Sequence, residues 1–213
     1  MKNIIIRLIL TPILFFSIQA KAQFHFGARA GNNLSDMIME DLRGQSRVDK
    51  AINRTFHIGG ILEYDITKQS DILCLESGLF LSWKGTKLEY GSFLNTETIT
   101  PIYLEIPINA LYNTDFGPNK FQIYLGPYIG FGIAGKIKYG VNNVSSPIKF
   151  GKSGDMKVYD FGLNMGAGIR MDDILMRLQY GYGLTNLDTS GSSTQEMKNR
   201  VIGISIGCMF GKE

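Results

Sequence analysis

Phe121-Gln122-Ile123-Tyr124-Leu125-Gly126-Pro127-Tyr128-Ile129-Gly130-Phe131-Gly132-Ile133 decides the fold. Phe121, Ile123, Leu125, Ile129, Phe131 and Ile133 share one parity; Gln122, Tyr124, Gly126, Tyr128 and Gly130 share the other. A period of two belongs to a strand whose faces meet different surroundings, whereas a helix repeats every 3.6 residues. The run also exceeds the ~10 residues that a tilted strand needs to cross a bilayer.

The same alternation recurs on both sides of this run. It holds over 24–31, 56–64, 73–83 and 102–112 before it, and over 159–170, 174–184 and 202–210 after it. In the third run Leu73, Leu75, Leu79, Leu81 and Trp83 oppose Cys74, Glu76, Gly78 and Ser82; in the last, Ile202, Ile204, Ile206, Cys208 and Phe210 oppose Gly203, Ser205 and Gly207. The connections alternate too. Those at 67–70, 113–119 and 171–173 are short, and those at 34–53, 85–98, 134–157 and 187–198 are long. Short turns at one end and long loops at the other predict an eight-stranded antiparallel up-and-down transmembrane β-barrel, with the short turns in the periplasm.

The polar phase reads as the inside. A barrel dissolved in water would coat its exterior with lysine, yet the mid-strand charges here are Arg29, Glu63, Glu76, Glu105, Asp160, Arg170 and Arg177, few and mixed in sign. They suit pairing in a confined lumen, and are expected to plug it as a buried network. Strand glycines fall on that phase as well, Gly60 being the main exception, which leaves room for the inner arginines and tyrosines. Aromatic residues of the apolar phase gather at the strand ends: Phe24, Tyr64, Tyr112, Phe121 and Phe210 at one rim, Phe56, Trp83, Tyr159 and Tyr182 at the other. Two such girdles mark the two interfaces of a bilayer.

The first residues have a different character. Lys2 and Arg7, an apolar stretch from Leu8 to Ile18, and Ala20-Lys21-Ala22 form the three regions of a secretory signal, so 1–22 is expected to be cleaved. The barrel domain then occupies 23–213. Because 1–22 holds three basic residues and no acid, 19 basic and 19 acidic residues remain. A neutral chain has no basic footprint for nucleic acid. Cys74 and Cys208 fall on opposite phases and are expected as free thiols rather than a disulfide.

Several stretches carry a more specific likeness. Phe26-Gly27-Ala28-Arg29-Ala30-Gly31-Asn32-Asn33-Leu34-Ser35, Tyr103-Leu104-Glu105-Ile106-Pro107, Leu125-Gly126-Pro127-Tyr128-Ile129-Gly130 and Tyr180-Gly181-Tyr182-Gly183-Leu184-Thr185-Asn186 resemble segments of PorT-like outer-membrane β-barrel proteins. So do Glu76-Ser77-Gly78-Leu79-Phe80 with Lys84-Gly85, and Asp160-Phe161-Gly162-Leu163 with Gly166-Ala167-Gly168. The resemblance covers nearly all of 23–213 and implies the barrel architecture. One member of that family supports a secretion system.

Candidate chemistry is sparse. Gly130, Gly132 and Gly135 match a dinucleotide-binding spacing, but that site needs glycines between a strand and a helix, and no helical pattern follows. His25 and His57 share the inner phase and, with Glu63 or Glu76, have the donors for zinc. They should lie too far apart along the barrel, and lumen hydrogen bonding is the expectation. No Ser-His-Asp spacing recurs and no two inner carboxylates stand out as an acid and base pair, so no enzyme and no cofactor are expected. Tyr103, Tyr124 and Tyr128 are expected to fill the lumen rather than stack on a ligand. Asn33, Asn53 and Asn143 match glycosylation sequons, short patterns that arise by chance.

The long loops are the best functional surface. Residues 34–53 mix charges, whereas 134–157 is net basic through Lys136, Lys138, Lys149, Lys152 and Lys157 against Asp155. Lys136, Lys138, Lys149 and Lys152 are candidate contacts for lipopolysaccharide phosphates or an acidic partner. The sequence therefore predicts an outer-membrane protein without enzymatic activity, acting through extracellular loops in envelope integrity, adhesion or secretion support. Its partners would be outer-membrane lipid, the barrel assembly machinery and a surface or secretion partner. The alternative is a barrel that passes or binds a small solute.

Overall fold

The structure is a computed structural model, and it describes residues 24–41, 49–67, 72–89, 96–140, 144–190 and 195–210. The expected export signal, Arg43 and Arg47 of the first long loop, Asn143 and most of the 67–70 turn lie outside the described residues. The chain runs through β1 (Phe24–Asp41), β2 (Asp49–Ala51), β3 (Asn53–Asp65), β4 (Leu73–Trp83), β5 (Thr86–Glu89) and β6 (Thr96–Phe116). It continues through β7 (Asn119–Tyr139), β8 (Val144–Pro147), β9 (Tyr159–Met171), β10 (Ile174–Gly183) and β11 (Gln195–Phe210).

The eight long strands β1, β3, β4, β6, β7, β9, β10 and β11 form a closed antiparallel ring in chain order. Closure comes from β1 and β11, which pair from Phe26↔Phe210 to Asp41↔Gln195. A closed ring leaves no edge with unpaired backbone groups, the condition for crossing hydrocarbon.

Burial follows the alternation. Ile204 is 61% exposed and Leu125 55%, against 0% for Glu76 and 2% for Arg177. A water-soluble protein buries the opposite set, so this surface needs lipid around it. The aromatic girdles are in register: Phe24 pairs with Tyr64, their rings 4.9 Å apart, and at the other rim Phe56 stacks on Trp83 at 3.9 Å.

Both hairpin turns described at the periplasmic end use left-handed backbone. Gly117 has φ 63° between β6 and β7, and Asp172 has φ 50° between β9 and β10. Aspartate is among the few residues other than glycine that tolerate this region.

The expected long loops are partly strand. β6 and β7 each run 21 residues, about 70 Å if fully extended and far beyond the ~10 residues a bilayer requires. Their outer halves therefore stand clear of the membrane. β5 pairs with β6 there, β2 with β5, and β8 with β7. These three short strands lie within stretches whose sequence lacks sustained alternation. A β-bulge reshapes the same region: Tyr103 pairs with Gly132 but Ile102 with Ala134, so Ile133 is the extra residue on β7. One inserted residue exchanges the faces of the strand. Beyond the bulge Ile137 turns inward while Lys136 and Lys138 are exposed.

Neither thiol forms a disulfide, Cys74 lying buried in the lumen and Cys208 exposed on the outer face. In native membranes a membrane-permeant maleimide is expected to label Cys208, with Cys74 reacting only after unfolding. Labelling of Cys74 first would mean that the faces are reversed.

Candidate functional site

Two charged clusters occupy the lumen. In the one nearer the periplasm, Arg177 on β10 reaches across the barrel to β3 and β4. Its Nη1 donates to Glu76 Oε2, and its Nη2 donates to Glu63 Oε1 at 3.3 Å and to Gln122 Oε1 at 3.1 Å. Arg170, on β9, donates to the other oxygen of Glu63. Asn109 Nδ2 donates to Glu76 Oε1 at 3.1 Å, and the Arg177 guanidinium lies 4.8 Å from the centre of the Tyr124 ring. Charges withdrawn from water are tolerable only when paired and hydrogen-bonded, and six strands supply groups that meet this condition here.

The second cluster centres on Lys84, just after β4. Its Nζ lies 2.6 Å from Glu105 Oε2 and 3.1 Å from Asp160 Oδ2, and 4.0 Å from the centre of the Tyr128 ring. Asn199 Nδ2 donates to Asp160 Oδ2 at 2.8 Å, and the Tyr128 hydroxyl donates to the same carboxylate at 3.3 Å. Glu105 and Asp160 thus pair with a lysine, and the expected single arginine–carboxylate network is two separate clusters. Lys84 lies outside the mid-strand charges because it follows the strand's last residue. Counting parity on from Ser82 would have turned it inward.

Arg29 belongs to neither cluster by hydrogen bonding. Its guanidinium lies over Phe80, 4.8 Å from the ring centre, and its Nε and Nη1 have no hydrogen-bond partner among the described residues. It borders a cavity of about 10 Å³, shared with His57, Phe80, Ser82 and Glu105, room for roughly one water. With Arg29 included, the buried lumen holds, among the described residues, four cations (Arg29, Lys84, Arg170, Arg177) against four carboxylates (Glu63, Glu76, Glu105, Asp160).

Apolar side chains fill much of what remains. Ile61, Phe80, Leu175 and Met209 form one buried cluster on the inner phase. Tyr124 and Tyr128 lie across from glycines on β9: a Cβ at Gly162 would come 2.6 Å from the Tyr128 ring, and one at Gly166 would meet the Tyr124 hydroxyl at 2.5 Å. Toward the cell exterior lies a second apolar cluster. Met37, Leu88, Ile99, Ile148, Met156 and Leu187 are its buried members, drawn from β1, β5, β6 and the segments after β8 and β10.

The remaining candidates are dispersed. His25 Nε2 lies 2.9 Å from Asp65 Oδ2, and His57 Nδ1 is 2.8 Å from Asn33 Oδ1. On the ladder His57 sits opposite Gly31, six residues from His25, about 20 Å along the strand. Among the described residues no group of three His, Cys, Asp or Glu side chains could hold a metal ion. Gly130, Gly132 and Gly135 lie inside strand β7, where Phe150 packs over Gly132. Asn33 is buried and donates to Trp83 O at 3.2 Å, and Asn53 Nδ2 donates to Thr100 Oγ1 at 3.1 Å. Lys136, Lys138, Lys149 and Lys152 are all exposed, the first two on outer β7 and the others beyond β8. Asp155 accepts a hydrogen bond from the Lys149 backbone N–H at 2.8 Å.

Solved structures with a similar course include the Neisserial surface protein A, 12% identical over 87% of this chain and 96% of its own, with a TM-score of 0.44. The outer membrane protein OprG from Pseudomonas aeruginosa is 15% identical over 90% and 98%, at 0.48. The N-terminal β-barrel domain of OprF from the same organism is 11% identical over 88% and 98%, at 0.34. No curated protein matches the sequence. The family model described as outer membrane protein beta-barrel domain matches residues 17–189, most of the chain, and with a ring that is polar within and apolar without, this chain belongs to that family and resides in the outer membrane.

Proposed function

We propose that this barrel is a non-enzymatic outer-membrane protein that acts through its extracellular surface, in envelope integrity, adhesion or secretion support. The observation that carries this reading is the filled interior. Among the described residues two buried charge clusters and, further out, a buried apolar cluster occupy the lumen, and the cavity beside Arg29 has a volume of about 10 Å³. The surface left for a partner is the extension beyond the membrane, with Lys136, Lys138, Lys149 and Lys152 exposed on it. A lipopolysaccharide phosphate or an acidic surface or secretion partner fits their charge. Cleavage of 1–22 and insertion by the barrel assembly machinery complete the proposal, with the mature chain starting near Gln23.

In planar bilayers the purified barrel is expected to show no single-channel steps. Steady conductance that persists when residues 144–157 are replaced by a short turn would favour the small-solute transport reading instead. In cells lacking the protein, the barrel should restore envelope integrity, and a variant with the four lysines changed to glutamine should not. Full rescue by that variant would remove the lysines from the function.

A further inference from the structure

We propose that the outer face of β3, β1, β11 and β10 carries a seat for lipid A, the phosphorylated and acylated anchor of lipopolysaccharide. This site is on the barrel wall and does not depend on the loop function proposed above. The apolar belt has a dent there. Ala28 and Ala30 on β1 and Gly60 on β3 stand where most of the belt carries leucine, isoleucine, phenylalanine or methionine, and Ala28 pairs directly with Gly60. Next to the Ala28–Gly60 pair, toward the cell exterior, lies a shallow groove of about 530 Å³, with Ala30 and Asn32 along its floor, Phe56 and Ile58 on one side and Met176, Ile204 and Ile206 on the other. The groove is open to the surrounding lipid and its lining is mostly apolar, which suits an acyl chain lying along the wall.

Depth and charge select the lipid. The groove ends at the row Phe56–Asn32–Ile204, level with the outer aromatic girdle, so it opens into the outer leaflet. Two residues beyond Phe56 is Arg54, and four beyond Ile204 is Arg200, about 7 and 14 Å further out along their strands. Both side chains are on the outward face and exposed. Arg200 Nη2 donates to Asp36 Oδ2 at 2.6 Å, and Lys198 is paired with Glu196 at 2.9 Å. Arg54 makes no ion pair with another described residue and is the cation left to meet a phosphate. An arginine fork binds phosphate in two-point geometry, and its height places it at the headgroups while the acyl chain lies below.

The test uses the full-length barrel, purified from outer membranes in mild detergent and exposed to lipid A carrying its phosphates or stripped of them, with bound lipid counted by native mass spectrometry. Ala30→Phe, which fills the floor, and Arg54→Gln should each weaken binding of phosphorylated lipid A about tenfold. Lys120→Gln, at the periplasmic end, should leave it unchanged. Equal binding by wild type and Arg54→Gln overturns the proposal, as does equal binding of the dephosphorylated lipid. Should Ala30→Phe fail to assemble, Arg54→Gln decides alone. If the groove instead holds a second copy, Ala30→Cys in a Cys208→Ser background gives disulfide-linked dimers in native membranes with no lipid A bound, which also overturns it.

Discussion

Arg177→Leu is expected to destabilise the barrel by about 3–5 kcal/mol, a fall of roughly 10 °C in the unfolding temperature for a domain of this size. The reason is the carboxylates left behind, more than the loss of the guanidinium itself. Among the described residues Glu63 keeps Arg170, but Glu76 keeps only the amide of Asn109 as a hydrogen-bond partner, and three buried cations then face four buried carboxylates. Unfolding in detergent can be followed by heat-modifiable gel migration and by the fluorescence of Trp83, the only tryptophan in the chain. A second variant separates the orphaned charge from lost packing. Arg177→Leu with Glu76→Leu removes both partners and should recover much of the loss, because an apolar replacement of a buried pair is often close to neutral. A single variant that melts like wild type would mean that these charges do not plug the barrel, and would make them the first place to seek a proton or ion relay. A relay would lose function with stability nearly intact.

The parts legible in the sequence are those enforced by lipid. Every strand that crosses hydrocarbon must alternate, so Ile204 and Leu125 declare the outer face, and Glu76 and Arg177 the inner one, without any tertiary information. What lies outside the bilayer is freed from that constraint. β2, β5 and β8 are three or four residues long and have no periodicity to read. The bulge at Ile133 shows the limit most clearly. Lys136 and Lys138 read as loop residues, but they occupy a strand whose faces had just been exchanged by one extra residue, a geometric event with no sequence signature in a run of glycine and isoleucine. The apolar residues of the lumen were hidden for another reason. Ile61, Phe80, Leu175 and Met209 break the polar-in pattern, and they are accommodated because inner glycines such as Gly59 and Gly78 leave space around Phe80.

Lys84 is the most consequential residue of the site that stayed out of sight, and its removal supplies the sharpest test of the upper cluster. Lys84→Met keeps the length of the side chain while deleting the cation that, among the described residues, contacts both Glu105 and Asp160. Two buried carboxylates then face each other with only Asn199 and Tyr128 donating to one of them, and breaking a buried pair in this way costs about 3–5 kcal/mol. Gly85 follows with φ 123°, and its carbonyl accepts from Ser35 Oγ at 2.8 Å, so the backbone that aims Lys84 inward is held independently of its charge. The loss should therefore be electrostatic and open to repair. Removing one acid as well, in Lys84→Met with Asp160→Asn, restores the balance of charges in the lumen and should leave the double variant more stable than Lys84→Met alone. Residues in one network are expected to depart from additivity in this direction by 0.5–3 kcal/mol, roughly. Strict additivity, with the double variant less stable than either single one, would show that Lys84 acts by packing against Tyr128 rather than by neutralising the two acids.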